Sequence, residues 1–194
     1  MVVNIDNIVR SGKKGDPMDL RMVKTRGQIK TAFLALRERL MPEKIKVKDI
    51  CEMAQINKTT FYHHYTDSNE LSKEIEESAI DLVMIDFVER DLMFDNSKAY
   101  IVGLMHSLEK HSEDLKIIFR GKQEILCAKL EERLHRIYDT AAKCIEDRTK
   151  ISFAIGGFVR VVKDFLFLNK KYDINQVILS TVRLLEAVDA SQLN

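Results

Sequence analysis

Apolar residues recur at intervals of three and four positions along most of the chain, and polar residues occupy the positions between them. This spacing places apolar side chains on one face of an α-helix, and no stretch shows the strict alternation that indicates a β-strand. With only 2 Pro and 7 Gly, long helices are favoured. The pattern predicts an all-α fold of about nine helices, over residues 24–40, 47–54, 58–64, 69–92, 97–110, 112–120, 122–146, 149–168 and 174–190.

The second and third predicted helices carry the clearest functional pattern. One apolar face of the second helix is formed by Val47, Ile50, Cys51 and Ala54. The pattern breaks at Gln55, and Asn57 follows as a residue that can cap a helix. In the third helix Phe61 is the apolar anchor, surrounded by Lys58, Thr59, Thr60, Tyr62, His63 and His64. Two short helices joined by a tight turn, the second rich in groups that bind phosphates and base edges, predict a DNA-binding helix-turn-helix, with a solvated connector as the alternative on composition alone.

These residues resemble the DNA-binding segment of the TetR family of bacterial transcriptional repressors. The resemblance covers about residues 24–71 and rests on Thr25, Arg26, Val47, Asp49, Ile50, Ala54, the run 57–65 (NKTTFYHHY), Asp67, Glu70 and Leu71. Two positions depart from the family pattern. Gln55 stands where the family usually has Gly, and a left-handed residue with a Cβ costs about 1 to 2 kcal/mol. Ser68 stands where Lys is common, which removes one expected phosphate contact.

The resemblance implies a helix-turn-helix domain at residues 21–67 and a helical ligand-binding and dimerisation domain at 68–194. Residues 1–20 are expected to be a flexible extension, with a basic DNA-binding arm or a later start at Met18 or Met22 as alternatives. The expected partner is a double-stranded DNA operator, with Lys58, Thr60, Tyr62 and His63 facing the groove and Thr59 also in contact with DNA. Phosphate contacts are expected from Thr25, Arg26, Lys46, Lys48 and His64. Thr25 and Arg26 are predicted in the first turn of helix one, where N–H groups and the helix dipole suit a phosphate.

The charge distribution agrees with DNA binding by the N-terminal part. Residues 1–67 contain 13 Lys and Arg against 8 Asp and Glu, whereas residues 68–194 contain 18 against 22. Phosphate contacts supply much of the affinity for DNA, so an excess of cations is expected in the half that carries the helix-turn-helix. A charge excess of this size is also common on an ordinary solvated surface.

Several other classes of protein are not indicated. No apolar run approaches the ~18 residues that suggest a membrane span. The first ten residues lack the basic and apolar regions of a signal peptide. The three widely spaced cysteines (Cys51, Cys127 and Cys144) indicate a reduced, cytoplasmic protein without a disulfide or metal framework. We find neither a catalytic constellation nor a Gly-rich phosphate loop, so the sequence predicts no enzyme and no cofactor.

The two C-terminal helices indicate a homodimer. Residues 151–168 (ISFAIGGFVRVVKDFLFL) are the most apolar stretch, which predicts burial on more than one side, and Gly156 and Gly157 suggest close approach of another helix or of a ligand. The last helix adds a further apolar face, formed by Ile174, Val177, Ile178, Val182, Leu185 and Val188. Two such helices from each subunit are expected to form a four-helix interface through residues 149–190, as the resemblance also implies. A monomeric core completed by both helices is the alternative.

An unknown small-molecule effector is expected to bind between the helices of the second domain and to release a repressor from DNA. Its predicted pocket consists of Phe87, Leu104, Met105, Phe119, Leu126, Leu130 and Phe158, with His106 and Arg120 as polar anchors. For each residue alone, ordinary packing is the stronger interpretation. Predicted helix four is expected to act as a rigid rod between the domains. The alternative function is a helical adaptor that binds a protein partner and no DNA, suggested by Gln55 and Ser68.

Overall fold

The computed structural model describes residues 17–85, 96–138, 142–168 and 173–190. Within these ranges the chain is all-α, which confirms the predicted fold class. The nine described α-helices are α1 (Pro17–Arg37), α2 (Val47–Ala54), α3 (Lys58–Tyr62), α4 (Ser68–Ile85), α5 (Ser97–Lys110), α6 (Ser112–Ile118), α7 (Gln123–Tyr138), α8 (Ile145–Phe167) and α9 (Ile174–Ala190). A 3-10 turn at Pro42–Lys44 lies between α1 and α2. None of the described helices is long and apolar enough to cross a membrane.

Contacts between residues divide the chain into two compact units. Unit 1 contains the residues as far as Leu82 together with Glu113–Gly121, and unit 2 contains Val83–Ser112 and the residues from Lys122 onward. This division differs from the predicted boundary at residue 68, because most of α4 and nearly all of α6 pack within unit 1. The assignment of separate functions to residues 21–67 and 68–194 stays a prediction.

Unit 1 is built around apolar faces of α1, α2 and α4, with a buried core that includes Ile29, Phe33, Ile50, Phe61, Leu71 and Ile75. Helix α1 spans Pro17–Arg37, whereas 24–40 was predicted. Proline fits the first turn of a helix, and residues 17–23 lack the apolar period that would have revealed it. Thr25 and Arg26 therefore lie inside α1 and not in its first turn, which corrects the prediction. The Thr25 hydroxyl donates to the Arg21 carbonyl at 3.0 Å.

Helix α4 begins one residue earlier than predicted, at Ser68. Leu71, Ile75 and Ala79 are buried, whereas Ile85 near the end of the helix is 63% exposed. The end predicted for this helix at residue 92 lies outside the described residues, as does Phe87.

Unit 2 contains α5, α7, α8 and α9, in which α8 packs on α7 and α9, and α9 also packs on α5. Its core includes Ile101, Leu104, Leu130, Leu134, Ile155, Val159 and Val182. Helix α7 ends at Tyr138 and α8 begins at Ile145, whereas 122–146 and 149–168 were predicted. The predicted break at Asp147 is wrong because Asp147 lies in the first turn of α8, whose N-cap is Cys144. Asp147 Oδ2 accepts from the Lys143 backbone N–H at 2.9 Å, and its own N–H donates to Cys144 Sγ at 3.5 Å.

Helix α8 buries one face, although its apolar sequence predicted burial on more than one side. Phe153 is 70% exposed, and Gly156 and Gly157 are exposed on the same side of the helix. Apart from its chain neighbours and the adjacent backbone of α8, no described atom lies within 4 Å of a Cβ placed at either glycine. No helix in the described part of this chain therefore makes the close approach that the glycine pair suggested.

Candidate nucleic-acid interface

Helix α2 presents two lysines beside its N-terminus. It has the predicted limits, and Asp49 Oδ2 near its start accepts a hydrogen bond from the Lys46 backbone N–H at 3.3 Å. The side chains of Lys46 and Lys48 are exposed. Lys48 Nζ lies 3.5 Å from Glu52 Oε1, with both side chains about two-thirds exposed. Exposed pairs of this kind are weak, so Lys48 remains available to a phosphate.

The turn after α2 has the geometry of a Schellman motif. Gln55 is left-handed, with φ 54° and ψ 43°. The Gln55 N–H donates to the Glu52 carbonyl at 3.3 Å, and the Ile56 N–H donates to the Cys51 carbonyl at 3.0 Å. Gln55 therefore occupies the position that favours glycine, where its Cβ carries the strain anticipated from the sequence. The turn keeps the helix-turn-helix geometry despite this departure.

Helix α3 is a single turn that is fixed at its start and at its centre. The Asn57 side chain accepts from the Thr60 N–H at 2.7 Å, which confirms the predicted cap. Phe61 is fully buried and lies 5.8 Å, between ring centroids, from the ring of Tyr65. The helix ends at Tyr62 and not at residue 64.

The polar groups of α3 face solvent. Tyr62 is 56% exposed although its ring is apolar. The side chains of Lys58, Thr59 and His63 are exposed as well, whereas Thr60 and His64 are half-buried. Because Phe61 holds the helix from the opposite face, these groups form one surface that can enter a major groove.

Arg26 forms an ion-pair cluster with residues of α1 and α4 and with Tyr65, which follows α3. Its Nε donates to the Tyr65 hydroxyl at 3.1 Å, and its Nη2 donates to Glu74 Oε2 at 2.6 Å. Lys30, whose side chain is 3% exposed, places Nζ 2.8 Å from Glu74 Oε1. Burial alone would raise the pKa of the Glu74 carboxyl, but the hydrogen bonds from Arg26 and Lys30 bring it below its ordinary value. Burial raises the pKa of the Tyr65 phenol, and the Glu74 carboxylate raises it further.

This cluster was not predicted from the sequence. Arg26 was assigned to a phosphate, but the structure commits its guanidinium to Tyr65 and Glu74. One signal was present, because Lys30 follows Ile29 on the apolar side of α1 and a buried lysine requires a partner. The position of that partner, on α4, depends on tertiary packing.

The loop between α3 and α4 is fixed by two carboxylates. Asp67 Oδ1 accepts from the N–H groups of Asn69 and Glu70 at 2.7 and 2.8 Å, so Asp67 and not Ser68 caps α4. Glu70 Oε2 accepts from the Thr66 N–H at 2.6 Å, and this bond lowers the pKa of its carboxyl. These bonds hold the chain that connects α3 to α4.

His64 is half-buried in the turn that follows α3. Burial lowers the pKa of its imidazole, and the charges of Arg26 and His63 lower it further. Phosphate oxygens favour the imidazolium form, so a phosphate contact at His64 would couple DNA binding to proton uptake.

The residues predicted for an effector pocket do not all belong to one unit. Phe119 and Arg120 belong to unit 1, where Phe119 is buried and Arg120 Nη1 donates to the Glu38 carbonyl at 3.0 Å. His106 is exposed on α5, which does not fit a polar anchor in an enclosed pocket. The candidates buried in unit 2 are Leu104, Met105, Leu126, Leu130 and Phe158. Phe87 lies outside the described residues.

The fold is shared with helical proteins of known structure. One is the dihydroxyacetone kinase operon activator DhaS, with a TM-score of 0.55 and 18% identity, covering 84% of this chain and 94% of that chain. Another is the fatty acid degradation regulator FadR from Bacillus halodurans, with a TM-score of 0.50 and 15% identity, covering 94% and 100%. No protein-family model and no curated protein matches the sequence. At these identities the likeness shows a common fold, and membership of the TetR family stays a prediction.

Proposed function

We propose that this protein is a sequence-specific, DNA-binding transcription regulator of the TetR type. The observation that carries the proposal is α3, a capped single turn anchored by Phe61 that presents polar groups to solvent within a helix-turn-helix. The fold shared with two regulators supports it. In this proposal the groove is read by Lys58, Thr59, Thr60, Tyr62 and His63, and phosphates are held by Lys46, Lys48 and His64. Thr25 and Arg26 leave the phosphate set because they lie inside α1 and Arg26 is held by Glu74.

The regulator acts as a homodimer in this proposal. Two recognition helices meet half-sites about one helical turn, or roughly 34 Å, apart. The open side of α8, with Phe153, Gly156, Gly157 and Arg160, supports an interface within residues 149–190, since these exposed residues share one helical face. A two-fold axis would bring the same face of both copies together.

A small-molecule effector is proposed to bind unit 2 and to release the repressor from DNA. The support is the group of large apolar side chains in unit 2 that the sequence had singled out. The DhaS protein is named as an activator. Whether the protein proposed here represses or activates transcription is therefore a question for experiment. A reporter gene placed under a bound promoter fragment decides between repression and activation.

The experiment that tests DNA binding is enrichment of genomic fragments by the purified protein, followed by gel-shift titration at two salt concentrations with competitor DNA. Saturable binding that resists competitor and weakens with salt is expected. Tyr62→Ala is expected to abolish specific binding and to leave the dimer intact. Met53→Ala is the matched control, because Met53 is a 49% exposed apolar residue of α2 outside the recognition surface.

Normal binding by Tyr62→Ala would refute the assignment of the recognition helix. Loss of all binding to competitor would instead favour the adaptor that binds a protein partner. A structural feature in favour of that alternative is an open groove of about 460 Å³ between α1 and the end of α2. It is lined by Lys24, Gly27, Gln28, Thr31, Ala32, Ala35, Met53, Ala54 and Gln55.

A further inference from the structure

Arg37 is a buried arginine that binds backbone carbonyls at the end of another helix. Its side chain lies at the end of α1, and the residue is 1% exposed. Nη2 donates to the carbonyls of Ile117, Ile118 and Arg120 at 3.1, 3.0 and 2.8 Å, and Nη1 donates to the Leu40 carbonyl at 3.1 Å. The last carbonyls of a helix lack partners within it and carry partial negative charge, so a guanidinium suits the end of α6.

Arg120 makes the reciprocal interaction at the end of α1. Its Nη1 donates to the Glu38 carbonyl, just after the end of α1, at 3.0 Å. The C-terminal ends of α1 and α6 thus meet, and each receives an arginine from the other. We call this pair of residues, Arg37 and Arg120, the arginine clasp. Without it two negative helix ends would face each other with unsatisfied carbonyls.

The chain fits closely beside the clasp. Gly121 follows α6 with φ 74°, a conformation that favours glycine. A Cβ at this position would lie 2.4 Å from Met41 Cε. Both connections that leave these helix ends therefore pack together in unit 1.

The clasp holds α6, a helix of unit 1 that lies in the sequence between two helices of unit 2. Residues Glu113–Gly121 belong to unit 1, while α5 before them and α7 after them belong to unit 2. Only His111 separates α5 from α6, and four residues separate α6 from α7. Short connections transmit a displacement of α5 or α7 to α6, because they have little length to absorb it.

We propose that the arginine clasp couples unit 2 to the DNA-binding unit by tying α6 to α1. Arg37 and Arg120 are positioning residues in this proposal, and the regulatory meaning of the coupling rests on the function proposed above. The clasp converts a shift of α5 or α7 into a force on α1, which packs directly on α2 of the helix-turn-helix. A side chain that only filled the core would stabilise unit 1 without transmitting such a change.

The test is hydrogen exchange by mass spectrometry on the full-length protein without DNA. Leu130→Ala creates a cavity in the core of unit 2, where Leu130 is 1% exposed. We expect it to raise exchange about tenfold in segments 113–121 and 47–62, within the usual range of coupling between sites. In the background of Arg37→Met, the effect of Leu130→Ala on segment 47–62 is expected to fall below about twofold. Arg39→Met is the matched control, since Arg39 is an exposed arginine two residues further on.

Three results would overturn the proposal. Leu130→Ala could leave segment 47–62 unchanged in the wild-type background, it could act on that segment equally with and without Arg37, or Arg37→Met could raise exchange uniformly over both units. If Arg37→Met does not fold, Arg120→Met takes its place in the test. This variant removes the hydrogen bond from Arg120 to the Glu38 carbonyl and leaves Arg37 in place. All readouts are independent of DNA, so a protein that binds no operator would refute the proposed function and leave this test intact.

Discussion

At the scale of single residues, much of the positive charge of unit 1 is used in contacts within that unit. Arg26 is paired with Glu74, Lys30 is buried against the same carboxylate, and Arg37 is enclosed by carbonyls. The excess of cations in residues 1–67 therefore overstates the charge that faces a phosphate backbone. The cations of the proposed interface are Lys46, Lys48 and Lys58, which are all exposed.

The salt dependence of DNA binding separates these two uses of charge. Each neutralised phosphate contributes a slope of about −0.9 to log Kobs against log salt concentration. Lys48→Gln is expected to reduce the slope by about that amount for each protomer. Arg26→Gln is expected to weaken binding at every salt concentration with the slope unchanged, because it loosens Tyr65 and removes no phosphate contact. Fluorescence anisotropy titrations measure both, and an equal loss of slope in the two variants would make Arg26 a phosphate ligand.

The Glu74 carboxylate makes the stability of unit 1 depend on pH. Its pKa in the folded protein lies below the ordinary value of 4.5, so the unfolded chain binds more protons as the pH falls. The stabilisation is therefore complete above about pH 4.5 and is lost as the pH falls through the lower folded value. Glu74→Gln is expected to cost about 1 to 2 kcal/mol at neutral pH, discounted because Arg26 is half-exposed, and progressively less as the pH falls through the lowered pKa of the folded carboxyl.

Urea denaturation of the wild type and of Glu74→Gln across this pH range measures that difference. Glu109→Gln is the control, since it removes an exposed carboxylate on α5 in unit 2. A difference between the wild type and Glu74→Gln that stayed constant with pH would contradict the role given to the cluster.

At the scale of elements, the stability of α3 depends on its surroundings. A helix of five residues is far too short to be stable alone. Its cap at Asn57, its anchor at Phe61 and the packing of Tyr65 compensate for that cost. The turn at Gln55 works in the opposite direction, because a left-handed residue with a Cβ is strained.

Gln55→Gly is expected to stabilise the protein by about 1 kcal/mol, since relief of the left-handed strain exceeds the extra flexibility of glycine in the unfolded chain. Chemical denaturation measures the gain. Gln55→Ala is the matched control, because it keeps the Cβ and should bring no comparable gain. If both variants gained equally, the amide side chain and not the backbone strain would be the cause.

The same elements show what local sequence can predict. The limits of α2 and the start of α3 were predicted because each end has its own signal, an apolar period and the capping Asn57. The start of α1 at Pro17 was missed because its first two turns have no apolar face. The boundary between α7 and α8 was misplaced because Asp147 was taken for a break, whereas it lies in the first turn of α8 and its carboxylate accepts from the Lys143 N–H just before that helix. Apart from the nearby Leu40 carbonyl, the partners of Arg26 and Arg37 lie 39 or more residues away, which no local pattern specifies.

At the scale of the whole molecule, the open side of α8 is the feature that a single chain leaves unexplained. Phe153 is 70% exposed beside Gly156 and Gly157, and Arg160 continues the same face. Glycines inside a helix cost about 1 kcal/mol each relative to alanine. Within the described chain, no atom from outside α8 approaches these glycines. In the proposed dimer a second copy packs on this face, and the absence of side chains at both positions allows it to pack closely.

Gly156→Leu separates the stability of one chain from association of two. A leucine side chain finds open space at this position in the single chain and raises helix propensity, so the fold should be retained or stabilised. In a dimer that uses this face it would hold the two helices apart, and we expect the dimer dissociation constant to rise by at least about tenfold, or roughly 1.4 kcal/mol. Analytical ultracentrifugation measures the constant, and affinity for a complete operator should fall with it because two half-sites are read together. Ala128→Leu places the same side chain on an exposed position of α7 and should leave association unchanged. A dimer weakened by Ala128→Leu and not by Gly156→Leu would move the interface from α8 to α7.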